Sequence, residues 1–223
     1  MIRRFIKSVK VFLNPNAYQL SSGALNILEE NHGHFKSLKS KSCVNSNDEP
    51  IPWFTYPAIE YISQLNLTEK NILEWGSGNS SLFFSKISKT ITSIEDNEDW
   101  YNKVSHNKRP NHEIILSNAD NYASIPLTLG KKFDIIIIDG IRRDECAKVA
   151  LEVLEEGGLI IYDNSDRDPE VCGFLRNADL IQVDMHGFGP INNYTWTTSY
   201  FFSRKFNFQP IDNQPRLSIG GGF

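Results

Sequence analysis

Residues 133–140 have the sequence FDIIIIDG, in which four consecutive isoleucines are followed by an aspartate and a glycine. A run that is apolar at every position predicts a strand covered on both faces, as in a parallel sheet between helices. Similar short runs occur at 71–75 (NILEW), 90–96 (TITSIED), 112–117 (HEIILS) and 159–165 (LIIYDNS). Helical patterns separate these strands, and this alternation is typical of βαβ units.

Helical spacing occurs in three stretches between these strands, SSLFFSKIS at 80–88, NEDWYNKVSH at 97–106 and RRDECAKVALEVLEEGG at 142–158. Asn79 or Ser80 is the expected N-cap of the first, and Gly157 the expected C-cap of the last. After residue 178, two strand-like segments follow with no helix between them, so we expect them to pair antiparallel. The predicted fold class is therefore α/β, a doubly wound, mostly parallel seven-stranded sheet with helices on both faces and an antiparallel C-terminal hairpin.

The chain has 223 residues, of which 40% are hydrophobic and 22% are charged, and its formal net charge is −4. This composition is typical of a globular protein and disfavours a disordered one. The acidic balance argues against a dedicated nucleic-acid binder, so no nucleic-acid partner is expected. The three cysteines form no CxxC pair, which disfavours a zinc or disulfide framework and favours a reducing, cytoplasmic location.

The first 50 residues have a different character from the rest. Residues 1–13 (MIRRFIKSVKVFL) place apolar and basic side chains at helical spacing on opposite sides. Such a helix is expected either to dock on the domain or on a second copy in a homodimer, or to rest peripherally on an anionic membrane. Residues 36–50 are rich in Ser, Lys and Asn, which predicts an exposed loop or linker. Residues 1–50 are thus interpreted as an N-terminal arm and linker, and residues 51–223 as the domain.

Polar residues follow every predicted strand, at the sheet edge where open α/β sheets bind their ligands. The candidate site residues at these strand ends, with the glycines and one alanine among them, are in chain order Glu74, Gly76, Ser77, Gly78, Asn79 and Ser80, then Glu95 and Asp96, then Ala119 and Asp120, then Asp139, Arg142 and Arg143, and finally Asp163 and Asn164.

The acids and glycines among them indicate the kind of ligand. Gly76 and Gly78 permit a tight turn and a close approach of the backbone. A carboxylate at Glu95 can accept both hydroxyls of a ribose. The third glycine of a dinucleotide loop is replaced by Ser81, and Glu74 repels a phosphate but attracts an ammonium or a sulfonium. We therefore expect a ribonucleoside that carries a positive charge at its other end.

The stretches LEWGSGNSS, SIEDNEDW, FDIIIIDG and GGLIIYDNSDR together resemble the class I methyltransferases that use S-adenosyl-L-methionine, over about residues 70–205. The resemblance implies that residues 51–223 are a cofactor-binding methyltransferase domain that methylates an oxygen of a small-molecule, sugar or glycan acceptor. It also implies the cofactor contacts: Glu74, Gly76, Ser77, Gly78, Asn79 and Ser80 at the methionine end, Glu95 at the ribose, Asp96, Ala119 and Asp120 at the adenine, and Asp139 near the methionine ammonium or the acceptor.

Asp139, Asp163 and Asn164 are similar in position to the ligands of the metal-dependent O-methyltransferases, which implies a candidate site for Mg²⁺ or another divalent cation. Those enzymes have a lysine base where this chain has Arg142. Because arginine stays protonated, Arg142 and Arg143 favour a clamp for an anionic acceptor, and Asp139 and Arg142 are the candidate catalytic residues of that strand end.

Other roles and other functions stay open at this point. If no metal is used, His186 is the candidate general base. Trp53, Tyr56 and Trp196, together with the two arginines, are candidate residues of the acceptor pocket. The alternative functions are a catalytically silent cofactor-binding subunit, or another nucleoside-cofactor enzyme, either aminopropyl transferase-like or NAD-dependent.

Overall fold

The structure is a computed structural model and describes residues 14–221. Within that range one seven-stranded sheet has the order β3-β2-β1-β4-β5-β7-β6. Strands β1 to β5 are parallel, and β7 pairs antiparallel with both β5 and β6, which confirms the predicted fold class. The strands are β1 Asn71–Trp75, β2 Thr90–Glu95, β3 His112–Leu116, β4 Phe133–Ile138, β5 Leu154–Asp163, β6 Ile181–Gly187 and β7 Trp196–Phe202.

Helices cover the sheet, and further helices precede it in the N-terminal part of the described chain. They are α1 Pro15–Asn26, α2 His34–Ser40, α3 Tyr56–Ile62, α4 Asn79–Ile87, α5 Glu98–Asn107, α6 Ile125–Thr128, α7 Arg143–Val153 and α8 Pro169–Asn177. A π-helical turn, Ile27–Asn31, continues α1, and a 3₁₀ turn, Ser165–Arg167, follows β5. None of the helices in residues 14–221 has the length and apolar character needed to cross a membrane. The predicted amphipathic helix at residues 1–13 lies outside the described residues.

The isoleucine run of β4 alternates between the two faces of the sheet. Ile135 and Ile137 belong to the hydrophobic cluster that also contains residues of α3 and α4, whereas Ile136 and Ile138 belong to the cluster with residues of α7. All four side chains are fully buried. Each such burial is worth about 1.5–3 kcal/mol relative to exposure, so a central strand covered on both faces favours apolar residues at every position.

Two helix ends differ from the prediction. The N-cap of α4 is Gly78, not Asn79 or Ser80, because the Ser81 hydroxyl accepts a hydrogen bond from the Gly78 N–H at 3.0 Å. The second difference is at the C-terminus of α7, which stops at Val153, so Gly157 is not its C-cap. Leu154 pairs with Phe133 of β4, so the chain has already entered β5, and Gly157 adopts a φ of +83° within that strand.

The segment predicted as an exposed linker, residues 36–50, is partly helical and packs on the domain. Ser37 is fully buried and Cys43 is 5% exposed. The Asn79 side-chain amide donates to the Ser42 hydroxyl at 2.9 Å and to the Cys43 carbonyl at 2.6 Å. Polar pairing holds this segment, which explains why its composition suggested solvent exposure. Residues 41–43 are thereby brought to the same edge of the sheet as the end of β1.

Candidate functional site

A cleft of about 550 Å³ opens at the carboxyl ends of the central strands. It is lined by strand-end residues and by residues from more distant segments. The strand-end group is Glu74, Gly76, Ser77, Gly78, Asn79, Ser80, Glu95, Asp96, Asp139, Gly140, Arg143, Asp163 and Asn164, and the distant group is Lys41, Ser42, Cys43, Trp53, Trp100, Lys103, Arg167, Ile191, Asn192 and Tyr194.

Two glycines bring the loops after β1 and β4 into contact. Gly76 has a φ of +92°, a conformation that side chains with a Cβ rarely adopt, and its N–H donates to the Ile94 carbonyl at 2.9 Å. A Cβ on Gly140 would lie 1.8 Å from the Tyr122 hydroxyl oxygen and 3.0 Å from the Gly76 nitrogen. Both positions therefore require glycine, and the close approach of the two loops joins the β1 and β4 ends of the cleft.

Glu74 is a carboxyl group buried at the end of β1, with only 1% of its surface exposed. It accepts hydrogen bonds from the hydroxyls of Ser81 and Ser93, the latter at 2.8 Å. Because Ser93 donates to Glu74, its oxygen accepts from His112 Nε2 at 2.9 Å, which continues the chain into β3. Burial raises the pKa of Glu74 to about 7, against the effect of the serine hydroxyls. Burial likewise lowers the pKa of His112 to about 4, so the imidazole is neutral.

Glu95 is fixed at the end of β2 by its own neighbours. One carboxylate oxygen accepts from the N–H groups of Asp96 and Asn97, at 3.1 and 2.9 Å, and the other accepts from the Ser77 hydroxyl at 2.6 Å. A carboxylate has about four lone-pair sites, so these bonds leave capacity for a further hydroxyl. The group is thus held at the cleft wall and linked to the glycine loop after β1.

The helix after Glu95 contributes two lining residues that the sequence analysis missed. Trp100 is 43% exposed, and the Lys103 ammonium lies 4.2 Å from the centre of its ring. The sequence could have indicated this pair, because the two residues are three positions apart on a predicted helix and residues at i and i+3 share a face.

The guanidinium of Arg143 lies among the residues that were predicted to bind a metal. Its Nη2 donates to Asp139 Oδ1 at 3.2 Å and to Asn164 Oδ1 at 3.4 Å. Its Nη1 donates to the Asp163 carbonyl, and its Nε donates to the Gly140 carbonyl at 2.9 Å. A resident cation therefore bridges the ends of β4 and β5.

The described residues do not fit the predicted divalent-metal site. The Asp163 carboxylate is turned toward β7, where its Oδ1 accepts from Trp196 Nε1 at 3.0 Å and from the Thr198 hydroxyl at 2.5 Å. Residues 14–221 contain no group of three His, Cys, Asp or Glu side chains arranged to hold a metal ion. Since Arg143 already pairs with the Asp139 carboxylate and donates a hydrogen bond to the Asn164 amide oxygen, the metal prediction is not confirmed.

The two aspartates beside Arg143 have raised pKa values. Burial raises the pKa of Asp163 to about 6, and hydrogen bonds from Thr198 and Trp196 oppose the rise. Burial and the neighbouring charge of Asp163 also raise the pKa of Asp139, while Arg143 opposes them. The Asp139 side chain is 28% exposed, so it can be reached from the cleft. A carboxylate of this kind is a stronger base than one in water.

Comparison with solved structures shows the same architecture in two methyltransferases. A candidate caffeoyl-CoA O-methyltransferase from Staphylococcus aureus is 21% identical, with a TM-score of 0.53, over 87% of this chain and 98% of that one. The precorrin-6y C5,15-methyltransferase from Geobacter metallireducens is 14% identical, with a TM-score of 0.51, over 65% of this chain and 84% of that one. The chain has the class I methyltransferase fold. No protein-family model and no curated protein sequence matches this chain.

Within this methyltransferase fold, several predicted site residues lie outside the cleft lining. Arg142 pairs with Glu145, at 2.6 Å between Nη2 and Oε1, and donates to the Ala119 carbonyl at 3.0 Å, so its guanidinium already has protein partners. His186 is an exposed residue of β6 whose Nδ1 lies 2.6 Å from the Thr197 hydroxyl. Asp120 and Ala119 are also absent from the described lining, and the roles predicted for all four remain predictions.

Two of the three aromatic residues predicted for the acceptor pocket are enclosed by the methyltransferase fold. Tyr56 is 5% exposed and stacks on His32, with 4.2 Å between ring centroids. Trp196 is 4% exposed and donates to Asp163. Trp53 is 46% exposed and lines the cleft. The alternation of apolar and polar residues could not distinguish these three positions, because the partners that enclose Tyr56 and Trp196, namely His32 and Asp163, are distant in sequence.

Proposed function

We propose that this chain is an S-adenosyl-L-methionine-dependent methyltransferase that methylates an oxygen of a small-molecule or sugar acceptor. The observation that carries the proposal is the pair of nearly buried carboxyl groups, Glu74 and Glu95, on either side of the turn at Gly76. A buried carboxylate attracts the ammonium end of the methionine, and the carboxylate at the end of β2 suits the ribose hydroxyls. Both similar structures are named as methyltransferases, which supports the same class for this chain.

The cofactor supplies a methyl group on a positively charged sulfur. In the proposed reaction the acceptor oxygen uses a lone pair to form the C–O bond while the S–C bond breaks, and the bonding electrons return to sulfur. The hydroxyl proton passes to the carboxylate of Asp139, which lines the cleft and is made more basic by burial. Arg143 orients the Asp139 carboxylate through a hydrogen bond of 3.2 Å, and no metal takes part in this proposed proton transfer.

A dinucleotide enzyme is disfavoured by the contacts of the third-glycine position. Ser81 occupies it, and its hydroxyl both accepts from the Gly78 N–H and donates to Glu74. The helix N-terminus that would bind a pyrophosphate is thus linked to a carboxyl group, which repels phosphate once it is ionised. Only a measurement of methyl transfer distinguishes an active enzyme from a catalytically silent cofactor-binding subunit.

The proposal is tested by calorimetric titration of the full chain with S-adenosylhomocysteine and with NAD. We expect S-adenosylhomocysteine to bind and NAD not to bind, and the reverse result would contradict the proposal. Transfer of a labelled methyl group to a panel of sugar and phenolic acceptors is then measured by mass spectrometry, with and without EDTA. Cofactor binding without transfer to any acceptor would favour the silent subunit.

A further inference from the structure

The two ends of the cleft carry opposite charge. At the end formed by β1, β2 and α5, the lining has three carboxyl groups, Glu74, Glu95 and Asp96, and one cation, Lys103. The rest of the described lining has three cations, Lys41, Arg143 and Arg167, and two carboxyl groups, those of Asp139 and Asp163. Arg167 lies in the turn that follows β5. Lys41 is two residues before Cys43, whose buried thiol is close enough to Asp139 and Asp163 for their charges to add to the rise in its pKa that burial causes. The first end suits a positively charged cofactor, so the second end is where the acceptor belongs, and its excess charge is positive.

Two of the three cations at the acceptor end have no protein partner. Arg143 is held by oxygens of the β4 and β5 ends. By contrast, neither the Lys41 ammonium nor the Arg167 guanidinium forms an ion pair or hydrogen bond with a described group of residues 14–17 or 19–221, and both side chains are exposed. Unpaired cations in a concave site bind anions by charge-assisted hydrogen bonds.

The same end of the cleft exposes aromatic and amide groups. Trp53 is 46% exposed and Tyr194 is 49% exposed, although large aromatic rings are ordinarily more enclosed. The Tyr194 ring packs edge-on against the buried Trp196, with 6.0 Å between centroids, which restricts its movement. The amides of Asn164 and Asn192 lie in the same lining. Flat apolar rings beside amide groups suit a pyranose, whose C–H face packs on an aromatic ring and whose hydroxyls bond to amides.

We propose that the acceptor is an acidic sugar, whose carboxylate or phosphate group is bound by Lys41 and Arg167 and whose ring packs on Trp53 and Tyr194. This inference rests on the proposed function, because it assigns the other end of the cleft to the cofactor. It replaces the clamp expected at Arg142 and Arg143 with two cations that are far apart in sequence. The acid group then anchors the sugar at the mouth, and a ring hydroxyl is presented toward Asp139.

The test uses the full chain saturated with S-adenosylhomocysteine and three sugars: D-glucuronate, D-glucose 6-phosphate and uncharged methyl α-D-glucopyranoside. Calorimetry or saturation-transfer NMR measures their binding. We expect at least one acidic sugar to bind about tenfold more tightly than the neutral one, and its affinity to fall as salt is raised. Whether glucuronate or the phosphate binds better identifies the acid group.

Variants assign the effect to the two cations. Arg167→Gln and Lys41→Gln should each weaken binding of the acidic sugar about tenfold and leave the affinity for S-adenosylhomocysteine unchanged. Lys39→Gln is the matched control, since Lys39 is a nearby lysine outside the cleft lining. Trp53→Ala should weaken acidic and neutral sugars alike.

Equal binding of the acidic and neutral sugars, binding of none of the three, or an Arg167→Gln variant that binds as the wild type does would overturn the inference. Failure of the proposed function has a different signature, namely absence of S-adenosylhomocysteine binding to the wild type. In that case the same sugar titrations on the free protein still decide whether the β5 end of the cleft selects an acid group.

Discussion

Replacement of Glu74 by glutamine tests whether the buried carboxyl group at the end of β1 is there for cofactor binding. Glu74 is 1% exposed, and burial raises its pKa from an ordinary 4.5 to about 7 because the charged form loses its hydration. A glutamine is neutral at every pH, and its amide oxygen can accept from Ser81 and Ser93 in the same way. The substitution therefore removes the charge and keeps the shape.

The magnitude follows from the difference between the folded and unfolded pKa values of Glu74. Below pH 4.5 the group is protonated in both states, so it has no ionisation penalty. As the pH rises toward about 7, the unfolded chain is stabilised by ionisation before the folded one is, and the wild type loses stability. Above that pH the loss is constant at about 3 kcal/mol, from about 1.4 kcal/mol for each pH unit between 4.5 and 7.

We therefore expect the stability of Glu74→Gln relative to the wild type to increase by about 3 kcal/mol between about pH 5 and about pH 8. The affinity for S-adenosylhomocysteine should change in the opposite direction, with a loss of about 1.5–3 kcal/mol at about pH 8, because a hydrogen-bonded charge pair is lost. For the same reason the wild-type affinity should fall as the pH drops below about 7, where binding must first remove the proton from Glu74.

Urea unfolding followed by circular dichroism at both pH values measures the stability, and calorimetric titration measures the affinity. Glu152→Gln is the matched control, since it removes a carboxylate from an exposed position of α7. An increase of the same size in this control would assign the effect to net charge rather than to burial. Stability curves for wild type and Glu74→Gln that run parallel across the pH range would refute the reasoning.

Three further predictions concern the other strand ends. Glu95→Ala should lower the affinity for S-adenosylhomocysteine by about 1–3 kcal/mol in calorimetric titration, and an unchanged affinity would separate this carboxylate from ribose binding. Gly140→Ala should lower the unfolding free energy by about 1–3 kcal/mol, because its Cβ would lie 1.8 Å from the Tyr122 hydroxyl oxygen. The double variant that also carries Tyr122→Phe should recover part of this stability in thermal unfolding. If it recovers none, the proposed steric clash is contradicted. Methyl transfer by the wild type should be unchanged by EDTA, and a loss of activity with EDTA would contradict the metal-free proposal. Arg143→Ala should lose about 1–3 kcal/mol of stability in urea unfolding, because the guanidinium contacts with Asp139 and Asn164 are removed.

The local sequence was sufficient to predict those features of the fold that depend only on which residues are buried. The run NILEW forms β1 with the predicted bounds, and the isoleucines of β4 are buried as expected. The strand-end residues Glu74, Glu95 and Asp139 line one cleft because the carboxyl ends of parallel strands meet at one edge of a sheet. The C-cap predicted at Gly157 was wrong, since the pairing of Leu154 with Phe133 ended the helix and involves a residue that is distant in sequence.

The sequence by itself determined the alternation of strands and helices, the antiparallel hairpin and the acids at the strand ends, because these follow from the period of apolar residues and from the direction of the chain. Only the tertiary structure decided which of two adjacent arginines enters the site. Arg143 begins α7 and contacts the ends of β4 and β5, whereas Arg142 has a φ of +50° and turns to Glu145. It also decided that Ser42 and Cys43 join the cleft, through the amide of Asn79. Side-chain direction and long-range polar partners depend on how the elements pack, and a local pattern does not contain that information.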